Sequence, residues 1–112
     1  MLPITLGETQ NGYPTLNVEP PYELFGEFLR AEHSVERAAR LLQTVERVLS
    51  GELPEAEVRQ DYAKLTLKHR DMAAHVWVDF LSKGTQEESD IPLPLFRNIA
   101  TAWLDHVKHR QP

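Results

Sequence analysis

Tyr62–Phe80, YAKLTLKHRDMAAHVWVDF, is the stretch on which the fold turns. Leu65 and Leu67 alternate with Lys64, Thr66 and Lys68, and Val76, Val78 and Phe80 alternate with His75, Trp77 and Asp79. A period of two marks a strand with one buried face. Residues facing each other on paired strands share a face, so the register follows. A two-residue loop at Arg70-Asp71 and a four-residue loop over His69–Met72 give the same pairing: Leu65 opposite Val76, Ala63 opposite Val78, Leu67 opposite Ala74. An odd loop would set Leu65 against Trp77 and mix the faces, and is rejected. The other face carries Tyr62 opposite Asp79, Lys64 opposite Trp77, and Thr66 opposite His75. A Lys64 ammonium over the Trp77 indole would contribute about 0.5–1 kcal/mol at an exposed site.

Upstream, Ile4 to Val18 reads as another hairpin. A two-residue turn at Asn11-Gly12 would put Leu6 opposite Asn17, whereas a three-residue loop, Gln10-Asn11-Gly12, sets Ile4 opposite Val18 and Leu6 opposite Leu16. The second keeps the apolar face intact, with Gly12 in the left-handed position of a bulge. Glu19-Pro20-Pro21 ends the strand, because proline cannot donate to a ladder.

Tyr22, Phe25, Phe28 and Leu29 recur at helical spacing, predicting a short helix over Tyr22–Ala31. Ser34 is the expected N-cap of a stronger one, although Arg37 stands where a capping box would have Glu. Its stripe is Val35, Ala38, Ala39, Leu42, Val45 and Leu49, widened by Leu41 and Val48, and Gly51 suits a left-handed C-terminal cap. A single bent helix over Glu23–Leu49 is the alternative.

Glu52 to Gln60 reads as an acidic connector with Pro54, and Ser82 to Asp90 as an exposed acidic loop. Pro92 and Pro94 bracket the start of a last helix with Phe96, Ile99, Ala100, Trp103, Leu104 and Val107 on its buried stripe. His106, Lys108, His109 and Arg110 fall in its last turn, where positive charge suits the dipole. The expected architecture is α+β: an antiparallel sheet of about four strands built from two hairpins, with helices packed on one face.

At 112 residues the chain is expected to form a single domain, 1–112, with one modest core. With no cysteine, disulfides, thiolate chemistry and cysteine–zinc sites are excluded. No apolar run approaches a membrane span, and no secretory signal is visible, so a cytoplasmic location is expected. A net charge of −5 disfavours nonspecific nucleic-acid binding and suits a basic protein partner.

Five histidines invite a metal hypothesis. His69 belongs to the central turn and His75 to the outer face, so they do not converge. His106 and His109, with Asp105 adjacent, supply too few ligands for a zinc site, and there is no H-E-x-x-H. No phosphate loop, nucleophile elbow or catalytic carboxylate pair is visible, so neither enzyme activity nor a cofactor is expected. Trp77 has two readings, a ring packed under a neighbouring element or an anchor on an exposed sheet face. Glu52, Glu55 and Glu57, with Glu87, Glu88 and Asp90, are acidic runs flanking one hairpin, and they favour a surface that meets positive charge. The candidate partner-binding residues are therefore Trp77, Tyr62, Lys64, Asp79 and these six acids.

The layout is a hairpin, a helix ending Leu49-Ser50-Gly51-Glu52, a second hairpin, then Ile91-Pro92-Leu93 and a helix bearing Trp103-Leu104. It resembles small bacterial immunity proteins that neutralise toxins, particularly those of contact-dependent growth inhibition. The resemblance implies a cytoplasmic protein that binds a cognate toxin domain, often a nuclease, and blocks its active site. It is one of arrangement, and carries over no residue roles. The other class in view is a homo-oligomeric structural or regulatory module using the same sheet edge or Trp77 face.

Overall fold

The N-terminal hairpin forms as its apolar pattern dictates. In the computed structural model, which describes residues 1–110, β1 (Ile4–Glu8) pairs antiparallel with β2 (Pro14–Val18). Ile4 faces Val18 and Leu6 faces Leu16. The Thr9 amide donates to the Tyr13 carbonyl at 2.8 Å around the three-residue loop, and Gly12 takes φ +83° there. A Cβ is disfavoured at that φ.

Two helices follow, α1 (Glu23–Ala31) and α2 (Val35–Leu49), so the chain breaks at 32–34 rather than running through as one bent helix. Ser34 is the reason: its hydroxyl accepts from the Arg37 amide at 3.0 Å and caps α2. The fully buried positions of α2 are Ala38, Leu41, Val45 and Val48; Leu42 and Leu49 are only half-buried. The buried stripe is thus centred on the two residues expected only to widen it.

The four-stranded sheet is a meander of consecutive strands, β3 (Glu55–Gln60), β4 (Ala63–Lys68), β5 (Ala73–Phe80) and β6 (Thr85–Pro92). The fold is α+β, as expected, but β1 and β2 form their own two-stranded sheet and do not supply half of this one. The connector and the acidic loop are the two edge strands instead. The central register is the expected one, with Leu65 opposite Val76, Ala63 opposite Val78 and Leu67 opposite Ala74 around the four-residue turn His69–Met72. On β3, Ala56 and Val58 share the inner face, a weak alternation that pairing with β4 completes. On β6 only Ile91 is fully buried, so β5 supplies the template and β6 has little apolar pattern of its own.

The helix α3 (Leu93–Arg110) buries Leu93, Phe96, Ile99, Ala100, Trp103 and Val107. The side chain of Arg110, expected in its basic last turn, lies outside the described residues. The inner face of the sheet, α1, α2, α3 and the β2 residues Leu16 and Val18 enclose one core, in which Phe25 and Phe96 pack with centroids 5.4 Å apart. At the α1–α2 break Glu32 is 5 % exposed. Its carboxylate accepts from Arg37 at 2.8 Å and Gln60 at 2.9 Å, and its carbonyl accepts the Trp103 indole N–H at 2.9 Å. All three helices and β3 are therefore tied to one residue. No described helix is long and apolar enough to cross a membrane.

Candidate functional site

The helices cover the inner face of the sheet, and alternation sends every second side chain to the outer one. Two rows cross that outer face at its centre: Glu57–Thr66–His75–Asp90 and Arg59–Lys64–Trp77–Glu88. A third places Glu55 beside Lys68, and Asp79 faces Gln86 at the far end. Of the candidate residues, the structure brings Trp77, Lys64, Asp79, Glu55, Glu57, Glu88 and Asp90 onto this one face. Tyr62 sits beside it in the β3–β4 turn, 56 % exposed, its carbonyl accepting from the Asp79 amide at 2.8 Å.

Two candidates are elsewhere. Glu52 lies in the α2–β3 link and is engaged by Arg47 at 2.8 Å. Glu87 faces Val78 on the helix side of the sheet, because the 85–92 segment is a strand and adjacent residues on a strand point to opposite faces. The acidic loop expected at Ser82–Asp90 therefore does not exist as a single patch.

Trp77 is half-buried in the open face, lining a concavity of about 390 Å³ with Arg59, Lys64, His75 and Glu88. The expected Lys64 ammonium over the indole is not the geometry found. Its ammonium turns to Glu57 at 3.7 Å, a full charge being a stronger attractor than a ring quadrupole. Among the described residues the cation–ring contact is Lys83 over Phe80, 5.0 Å from the centroid.

Electrostatically the face has acids along both edges, Arg59 sharing the β3 edge with Glu55 and Glu57, and Lys64 and Lys68 between. Glu57 accepts from Arg59 at 2.9 Å; this hydrogen bond, with attraction from Arg59 and Lys64, holds its carboxyl below the ordinary glutamate value. On the opposite edge His75 lies between two carboxylates, its Nε2 2.8 Å from Glu88 and its Nδ1 2.8 Å from Asp90. A neutral imidazole has one N–H, so only the protonated ring can donate to both. Burial works against that charge, but the hydrogen bonds and attraction of Asp90 and Glu88 outweigh it and raise the His75 pKa above the ordinary histidine value.

Two other histidines act as fasteners. His69 Nδ1 donates to the Val48 carbonyl at 2.9 Å, and His106 Nε2 to the Gly7 carbonyl at 2.7 Å. His106 is thus half-buried against the N-terminal hairpin and not part of a solvated helix end. Among the described residues no three histidine or carboxylate side chains converge on a metal-binding point. The carboxylates at His75 lie on its two opposite nitrogens. Sequence reasoning missed this His75 cluster because it depends on β6 pairing with β5. The readable signal was the turn Ser82-Lys83-Gly84 just beyond Phe80, which allows a third hairpin.

No protein family, curated protein or solved structure matches the chain.

Proposed function

We propose that the chain is an immunity protein that binds the basic surface of a cognate toxin domain, of the contact-dependent growth-inhibition kind, and blocks its active site in the cytoplasm. The observation that carries this reading is the open outer face of the sheet, with Trp77 half-buried at its centre and carboxylates along both edges. A nuclease cleft that binds phosphates is basic. A face edged by Glu55, Glu57, Glu88 and Asp90, on a chain of net charge −5, attracts such a cleft over several ångströms and raises the association rate. Trp77 then supplies desolvated contact area that slows dissociation. Arg59 and Lys64 set the register of docking by repelling misplaced cations.

The test is affinity capture with the tagged chain in its native host, repeated with Trp77→Ala bait. The expected result is a stoichiometric partner with a basic domain, lost with the variant, while Trp77→Ala costs less stability than the roughly 3–5 kcal/mol of a buried Trp103→Ala. Recovery of bait alone, together with a solution mass of two or more copies, would replace the reading with self-assembly.

A further inference from the structure

A second concavity, of about 670 Å³, opens where the β3–β4 turn and the end of β5 pass the C-terminal half of α1. Its floor is apolar: Phe28 from α1, Ala63 from β4, Val78 and Phe80 from β5. Asp61, Tyr62 and Asp79 stand at its rim, continuous with the Trp77 face through Asp61 and Ala63, which line both concavities.

The charges around it are unevenly satisfied. Glu27 is paired with Arg30 at 2.6 Å, Arg37 with Glu32 at 2.8 Å, and Arg59 with Glu57 at 2.9 Å. Among the described residues, Asp61 and Asp79 have no side-chain hydrogen bond or ion pair, so two uncompensated carboxylates line the groove together with the exposed Tyr62. The last turn of α1, the negative end of its dipole, lines the same space through Phe28 and Ala31. An apolar floor beneath a doubly negative, aromatic rim calls for a side chain with an aliphatic stem and a flat cationic head.

From this we infer that the groove is the receptor for an arginine side chain projecting from the partner protein, an inference that rests on the proposed basic partner and specifies one of its contacts. The arginine methylenes lie over Ala63 and Val78. The guanidinium reaches Asp61 and Asp79 and stacks on Tyr62, which its planar, weakly hydrated head permits and a lysine ammonium does not. Two carboxylates at the rim fix where the head stops, so the groove adds register to the contact made by Trp77.

The experiment uses the isolated chain, so its failure is separable from failure to capture a toxin. N-acetyl-arginine amide and N-acetyl-citrulline amide, equal in shape but differing in charge, are titrated while backbone amide shifts are followed by NMR. The expected result is saturable shifts at Asp61, Tyr62, Asp79 and Phe80 with arginine, and binding about tenfold weaker with citrulline. The double variant Asp61→Asn, Asp79→Asn keeps the turn chemistry at Asp61 and should bind both probes equally weakly with an otherwise unchanged spectrum. Equal binding by the wild type, shifts centred elsewhere, or an arginine preference that survives in the double variant would overturn the assignment.

Discussion

The two edge strands of the sheet, β3 and β6, do the same job by different means. Both are charged on the outer face, as edges commonly are to discourage pairing with other chains. The strand β3 keeps a half-buried inner row, Ala56 and Val58, and its carboxylate Glu57 is matched by fixed cations, Arg59 and Lys64. The strand β6 has one fully buried side chain, Ile91, and its two outer carboxylates share a single titratable partner, His75. One edge is held by distributed weak packing and permanent charge, the other by one anchor and a proton.

The largest break in that comparison is at the anchor. Ile91→Ala should cost about 2–4 kcal/mol in urea unfolding, whereas Val58→Ala, half-buried, should cost about 1 kcal/mol. Equal losses would mean that β6 is held by its ladder and not by Ile91. The charge difference predicts edges that loosen in opposite directions of pH. The raised pKa of His75 means that its contribution is fully present below the unfolded histidine value, about 6.5, and is lost as pH rises through the higher folded value. The lowered pKa of Glu57 means that its contribution is present above the unfolded glutamate value and is lost as pH falls through the lower folded one. Hydrogen-exchange protection factors should therefore fall in β6 toward alkaline pH and in β3 toward strongly acid pH, and His75→Gln should flatten only the first. The smallest effect belongs to Ser89, whose exposed hydroxyl donates to the Pro21 carbonyl at 3.2 Å. Ser89→Ala should change stability by about 0.5 kcal/mol or less, and a larger loss would identify a second anchor on β6.

These strands also mark where the sequence stops being legible. The central hairpin could be read to the residue because both of its strands alternate large apolar and polar side chains, and only one parity of register keeps Trp77 off the apolar face. The N-terminal hairpin was equally plain, Leu6 and Leu16 choosing the three-residue loop. In β3 the alternation is present but written in Ala and Val between charged residues, and Pro54 just before it reads as a connector. In β6 nothing local says strand: Gln, Glu, Ser and Asp have low strand propensity, and the segment extends because β5 has an unpaired ladder to offer. The site inherits the same limits. Trp77, Lys64 and Asp79 could be placed on one face from the central register, whereas separating Glu87 from Glu88, and joining His75 to Glu88 and Asp90, required knowing that 85–92 is extended. Glu32 was invisible for another reason: a buried carboxylate is identified only by the partners that approach it from distant parts of the chain.

Those partners bear on how the chain is made. Trp103 fastens to Glu32, and His106 to Gly7, across 71 and 99 residues of sequence. A ribosome delivers the N-terminal hairpin and α1 first, yet their apolar surfaces, Leu16, Phe25 and Phe28, have no complete cover until the last helix emerges. Folding that depends on such distant contacts is slow to begin and closes late. A nascent chain interrupted before residue 93 would present a bare hydrophobic seam to proteases, so quality control has a simple criterion: only a chain translated through α3 is sealed.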